Sequence, residues 1–434
     1  MIRWSKGFSF WVGSAYTVVN YKRIKGLYPM LRDVHKQRLH TIDDMREDIL
    51  KAGDEAQELK KLPTWIVDKL VDEGFFRFAL PSELGGDNAS SMETIEVLEH
   101  LASVDASVSW NVMLGSEINA MAAGGMDPVL AKEIYVDNPG TVMCGGGGPG
   151  STPPRAERQP DGSVKVWGQT TFISGCHNAD YCFMGAPLMK GDDIELDDNG
   201  NPIFKLWMMH KDQYEIQRTW DVAGLRGSGS DDVIADGAIV PEKHIGIDLF
   251  VTPAHYENPV YRMPIPLRLA YNKSAIALGI AKGALEVFAD IAQNKIPMLS
   301  SKSLAGRPIA QYRMGEAEAM YRASRAWLMQ CMEAVEDELR EGAEFPSAKT
   351  TQDARLACVH ASNECMKVVD LLHNTAGTTG MRMYSPLERK LRDSHGAATH
   401  RWVAHPLYQD LGAILLGNEA DPEFAGGNGA PRPK

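Results

Sequence analysis

The spacing of apolar and polar positions divides the chain into three textures. From Thr41 to Pro139 apolar residues recur at helical intervals. Ser90 with Glu93 spells a capping box, and Thr41 with Asp44 a looser version of one. Gly74 closes a helix that starts near Pro63, and Pro128 suits the first position of another. Between them "DASVSWNVMLGSEINAMAAG" is long, apolar and free of proline, which predicts a buried helix. From Gly140 to about Pro253 the helical period disappears. "SVKVWG", "TFISG", "DYCFMGAPLM", "IFKLWMMH" and "DDVIADGAIV" read as short strands separated by turns such as "DGS" and "DDNGN". That length predicts a small antiparallel barrel or sandwich. From Arg268 onward long helical patterns return. One is "NKSAIALGIAKGALEVFADIAQ"; Pro308 opens a second that runs to about Gly342, Ser347 a third that reaches about Thr375, and Ser385–Pro386 the last. Four such helices predict an antiparallel bundle.

The expected class is therefore mainly α with a central β-domain. The segments are an N-terminal extension over residues 1–40, a helical domain over 41–139, the β-domain over 140–254, the four-helix bundle over 255–417 and a flexible tail over 418–434. "FSFWVGSAYTVV" (Phe8–Val19) has the look of a signal-peptide core, but it is too short to span a bilayer and is followed by "NYKRIKG" rather than small residues. An extra amphipathic helix or an upstream start codon explains it better than export.

Composition narrows the partners. A formal net charge of −12 over 434 residues argues against nucleic acid and against anionic membrane surfaces, which both call for a basic face. The six cysteines form no C-x-x-C pair and read as reduced thiols, so a cytoplasmic location is expected. No His, Cys, Asp or Glu grouping has metal-ligand spacing. "CGGGGPGSTPP" (Cys144–Pro154) lets backbone approach a ligand but opens no helix, so it is no dinucleotide fingerprint.

Several motifs stand in a telling order: "VDEGFF" then "LPSELGG", "SVDASVSWN", "VWGQTTFISGCHNADY", "TWDVAGLRGSGSDDV" then "VPEKH", and "LERKLRDSHGAATH". Together they resemble the acyl-CoA dehydrogenase superfamily, and more closely its branch of two-component flavin-dependent monooxygenases, over roughly Asp43 to Gly417. The resemblance implies the same order of helical domain, β-domain and four-helix bundle, a homotetramer, and a flavin between the β-domain and the helices. It also implies reduced FMN or FAD delivered by a separate flavin reductase, with O2 and a small aromatic or polycyclic molecule as substrates.

A dehydrogenase of this superfamily needs a carboxylate base against its thioester substrate. In the commonest arrangement a Glu follows the Arg of the R-D pair by about nine residues. Counting from Arg392 lands on Arg401, and the alternative position, in "PIPLRLAYNKS", offers no carboxylate either. The last helix instead offers His400, which the resemblance makes the acid/base of a hydroxylase that works through a flavin hydroperoxide. His395, five residues earlier and about 140° away round a helix, reads as structural. In "TFISG", period-two alternation puts Phe172 and Ser174 on one face. The resemblance makes Ser174 the partner of the flavin's reactive nitrogen and Phe172 its aromatic neighbour, sets Trp110 and Asn111 against flavin or substrate, and offers Arg226 to the flavin phosphate. His177 and Asp393 read as local hydrogen-bonders. The alternatives are an acyl-CoA dehydrogenase or oxidase with a displaced base, and a scaffold that keeps the fold without flavin.

Overall fold

The computed structural model describes residues 32–244 and 255–418. The segment Phe8–Val19 and nearly all of the predicted tail lie outside the described residues. Six helices come first: α1 (Asp33–Asp44), α2 (Arg46–Leu59), α3 (Thr64–Asp72), α4 (Ser91–Val104), α5 (Ala106–Gly125) and α6 (Pro128–Tyr135). The local signals explain their ends. Ser90 and Glu93 close a reciprocal capping box on α4, Asp105 accepts the Val108 N–H at the start of α5, and Pro128 stands in the first turn of α6. Thr41 caps nothing. It lies inside α1 and its hydroxyl donates to the Gln37 carbonyl one turn back.

The middle of the chain forms β1 (Met143–Gly145), β2 (Gly148–Pro149), β3 (Arg155–Arg158), β4 (Val164–Thr171), β5 (Tyr181–Lys190), β6 (Asp193–Ile194), β7 (Phe204–His210), β8 (Glu215–Gln217) and β9 (Asp232–Val240). The strands run in the order β1-β5-β3-β4-β9-β8, with β2 on β4 and both β6 and β7 on β5. The sheet is mixed rather than antiparallel, because β5 pairs in parallel with β1 and β3. Between β4 and β9 the register slips where Gly237 (φ 79°) is inserted as a bulge, which bends the pair. Cys144, Cys176 and Cys182 are buried free thiols in the core of this unit, and Cys331, Cys358 and Cys365 are likewise free and buried.

The chain then returns to helices: α7 (Ile265–Asn294), α8 (Pro308–Arg340), α9 (Ala348–Ala376) and α10 (Pro386–Ala398). α7 packs on α4 and α9, α9 on α8, and α10 lies across α7 and α9. A short α11 (Leu407–Leu415) follows, so α10 is not the last helix, as the sequence reading had it. One apolar core runs from Ile49 on α2 through α4, α5 and α7 to Leu387 on α10. A second fills the β-unit and a third joins the end of α5 to Met143, Phe183 and Met208. α5 contributes to two of the three and is buried along nearly its whole length.

The loop 224–231 locks these layers together. A Cβ on Gly224 would stand 2.0 Å from the Arg392 carbonyl oxygen on α10, and one on Gly227 2.6 Å from Ala56 on α2. Gly224→Ala should therefore cost about 3 kcal/mol in urea unfolding, since backbone rather than a flexible side chain has to move. Gly315→Ala, inside α8 with nothing within 4 Å of the added atom, should instead stabilise by roughly 0.5–1 kcal/mol through helix propensity.

Candidate functional site

β4 ends at Thr171, and the next residues are not strand. Phe172 takes a left-handed backbone (φ 61°), so the alternation expected of "TFISG" breaks at its second residue. Phe172 turns outward, 66% exposed, while Ser174 is buried. The segment is held by the Ile173 N–H on the Asp231 carbonyl (3.1 Å) and the Gly175 N–H on the Ser228 carbonyl (3.0 Å). Gly175 (φ 74°) supplies the turn.

Ser174 sits at the head of a hydroxyl chain. Its Oγ is 2.7 Å from Ser230 Oγ, which is 2.7 Å from Ser228 Oγ, and it accepts the indole N–H of Trp110 at 3.1 Å. Trp110 meets His400 edge to face, with ring centroids 5.6 Å apart. Three of the residues singled out in the sequence are thus brought together from three elements. His400 is not carried on a helix: α10 ends at Ala398, and His400 lies in the turn beyond it, its carbonyl accepting the Val403 N–H at 2.9 Å. His395 points to the surface and pairs with Asp370 at 2.8 Å.

The environment of His400 decides its charge. Burial, reinforced by the cations Lys273 and Arg401, pushes its pKa down to about 3. The resting ring is therefore neutral at ordinary pH, not the imidazolium that an unperturbed histidine could become. The Trp402 backbone N–H approaches Nδ1 at 3.4 Å, which makes Nδ1 the acceptor and leaves the ring proton on Nε2.

Lys273 belongs to a pair that the sequence reading missed. Glu117 lies seven residues after Trp110, on the same face of α5. It is buried and receives Lys273 Nζ at 2.7 and 2.8 Å and Asn272 Nδ2 at 2.7 Å. Glu117 is the sole charged residue of α5, and that lone charge in an apolar helix was the available signal.

The other candidates lie elsewhere. Phe172 packs edge to face on Trp220, centroids 6.1 Å apart, at an accessible edge. Asn111 donates to the Ser107 and Gly227 carbonyls (2.9 and 3.1 Å), and its own oxygen accepts from Asn178. Arg226 donates to the carbonyls of Gln57 (2.9 Å) and Val222 (3.0 Å). Both brace the 224–231 loop. Asp393 accepts the Leu225 N–H at 2.6 Å, and His177 meets Asp231 at 2.6 Å. Among the described residues no group of three or more His, Cys, Asp or Glu could hold a metal ion.

Comparison with known proteins agrees with this architecture. The model of the acyl-CoA dehydrogenase N-terminal domain matches residues 35–127 and that of the C-terminal domain residues 271–405. Indole-3-acetate monooxygenase of Acinetobacter baumannii is 29% identical over 361 residues, covering 83% of this chain and 88% of the relative. The oxygenase subunit HsaA, a flavin-dependent monooxygenase of Mycobacterium tuberculosis, is 27% identical over 374 residues, covering 83% and 90%. The fold matches XiaF from Streptomyces, solved in complex with FADH2 and glycerol, with a TM-score of 0.78 at 17% identity over 89% of this chain and 97% of that one.

The depressed pKa of His400 has a consequence for stability. Unfolded, the ring takes up a proton near pH 6.5; folded, only near 3. The unfolded chain binds more protons in that window, so this contribution to stability is complete above pH 6.5 and is lost as pH falls below it. Burial lowers His100, His177 and His244 in the same sense, whereas Asp393, pushed up to about 6 by burial, acts in the opposite one. Between pH 7 and 5 the urea midpoint of His400→Gln should fall less than that of the parent protein. Equal falls would mean that the folded ring titrates normally.

Proposed function

The chain belongs to the acyl-CoA dehydrogenase family, and we propose that it is the oxygenase component of a two-component flavin-dependent monooxygenase that hydroxylates a small aromatic substrate. The observation that carries this reading is the neutral His400 against Trp110, whose indole N–H is held by Ser174, where dehydrogenation would need a free carboxylate. The nearby acid, Glu117, is committed to Lys273 and Asn272 and cannot serve as that base. The names of the relatives support the same class, and a subunit described as an oxygenase implies a separate reductase.

The residues present fit a flavin. Phe172 and Trp220 offer an accessible aromatic edge, and beside it Gly146 (φ 94°), whose carbonyl accepts from the Thr170 hydroxyl, faces open space. Reduced flavin, when bound, supplies the two electrons with which one oxygen atom enters the substrate and the other leaves as water. The rest falls to the protein. Ser174 accepts the Trp110 indole N–H, and with the Ser230 hydroxyl donating to it as well its own proton can be directed at a ring nitrogen placed against it. Phe172, on the exposed side of the segment, would offer its ring to the flavin, while Asn111 and Arg226 hold the 224–231 loop.

His400, with its ring proton on Nε2, would offer that N–H to an oxygen of a bound substrate or flavin. An anionic group arriving beside it would favour the protonated ring and offset part of the burial that keeps it neutral. Trp110 closes the pocket and, through Ser174, ties that wall to the flavin side. The all-thiol cysteines suit a reducing, cytoplasmic setting, and among the described residues no helix is long and apolar enough to cross a membrane. A homotetramer is the expected assembly and light scattering on the purified protein would read it.

Mixing pre-reduced flavin, protein and O2 in a stopped-flow spectrometer should give a transient spectrum that belongs to neither reduced nor oxidised flavin. Ser174→Ala should shorten its life and raise hydrogen peroxide release. His400→Ala should lower product formation by about 10²–10⁴ with flavin binding unchanged. No transient with any flavin, together with reduction of flavin by an acyl thioester, would favour the dehydrogenase instead.

A further inference from the structure

Asn272, on α7, is 4% exposed and its amide is held one way round. Nδ2 donates to Glu117 Oε2 at 2.7 Å and to the Arg268 carbonyl at 3.2 Å. A flipped amide would set its oxygen against the Glu117 carboxylate, acceptor on acceptor. Glu117 is itself fixed, because both its oxygens receive Lys273 Nζ. The consequence is that Asn272 Oδ1 is buried with no hydrogen-bond partner. Five other buried side-chain atoms among the described residues share that state, and Asn272 Oδ1 is the one beside the Glu117–Lys273 pair. A buried acceptor left so costs about 1–3 kcal/mol, which a ligand that brings a donor would recover.

The position of this oxygen ties it to the site. Glu117 shares the Trp110 face of α5, Trp110 touches His400, and Lys273 is one of the two cations whose charge reaches His400. Contacts thus run from Asn272 and Lys273 on α7 to Glu117 on α5, and from Trp110 on the same face of α5 to the turn after α10.

We propose that Asn272 Oδ1 accepts a hydrogen bond from a ring-borne O–H or N–H of the aromatic substrate, with the Glu117–Lys273 pair as the positioning device that keeps that oxygen free. The proposal deepens the monooxygenase reading and rests on it. It makes the site selective for phenolic or indolic rings over rings of the same shape that lack the donor. A site built around an unpaired polar atom discriminates strongly on this point, since the analogue leaves that atom unsatisfied. The donor also orients the ring, fixing which carbon faces the oxygen source.

The test uses indole and benzofuran, which match in shape and differ in the N–H. Each is titrated anaerobically into the full-length protein loaded with reduced flavin. Indole should bind at least about 10-fold more tightly. Asn272→Leu, equal in size, should remove the difference by weakening indole alone, with flavin binding retained. Asn272→Ser keeps a donor for Glu117, loses the carbonyl and carries the same expectation if the leucine variant does not fold. Benzofuran binding as tightly as indole, no binding of either, or a preference that survives in both variants would overturn the proposal and leave Oδ1 as the seat of a trapped water. The spectral transient with O2, recorded without any aromatic ligand, judges the monooxygenase reading separately.

Discussion

A helix with no solvent face needs partners for the polar groups it buries, and α5 is such a helix, with the Ser107 hydroxyl alone left unpaired. Asn119 bonds the Phe76 and Thr141 carbonyls and accepts the Met143 N–H, so it joins the helical layer to the first strand. Asn111 reaches the Gly227 carbonyl, Trp110 reaches Ser174, and Glu117 takes Lys273 and Asn272 from α7. Each unmet group would cost about 1–3 kcal/mol, a large share of the stability of a folded domain. The bonds that hold the three layers together are therefore the same bonds that assemble the site. Trp110 in particular cannot turn away from Ser174 and His400 without stranding its indole N–H.

The second half of the site depends on irregular backbone held by close packing. Leu225 adopts φ 53° and its N–H is answered by Asp393 from α10, while Gly224 and Gly227 admit α10 and α2 at distances no side chain would allow. Asp231 receives the Thr219 and Trp220 N–H groups at 2.6 and 2.7 Å as well as His177, which fixes the stretch bearing the exposed aromatic edge. Ser228 and Ser230 sit inside this clamp, so the hydroxyl chain that ends at Ser174 is preorganised.

The order of helices and strands was legible because it follows from periodicity, and caps such as Ser90–Glu93 and Pro128 marked ends that the structure keeps. What periodicity could not show was where the chain departs from it. "TFISG" alternates like a strand, yet a single positive φ at Phe172 sends that ring outward and Ser174 inward. His400 was placed on a helix that stops two residues before it. The meeting of Trp110, Ser174 and His400 rested on the family resemblance, since nothing in local spacing joins positions so far apart. The Glu117–Lys273 pair was missed for a related reason. Its members are 156 residues apart, and attention to carboxylates stayed on the two places where a base was expected.

The family is named for dehydrogenases while the relatives here are named monooxygenases, and on the proposed reading the difference lies in the charge beside Trp110 and His400. A dehydrogenase needs an anionic oxygen to take a carbon-bound proton. Here the turn after α10 supplies an imidazole, and the next residue, Arg401, is a cation stacked on Trp402. The nearest acid on α5 is neutralised by Lys273, so the pocket gains no net negative charge from it. Such a wall would repel no anionic reduced flavin or phenolate, and the neutral His400 ring gains a proton most readily when one of these anions is present. In the proposed mechanism the proton would be available when negative charge has accumulated beside the ring and withheld otherwise, a coupling that rests on burial of the ring together with the cations Lys273 and Arg401.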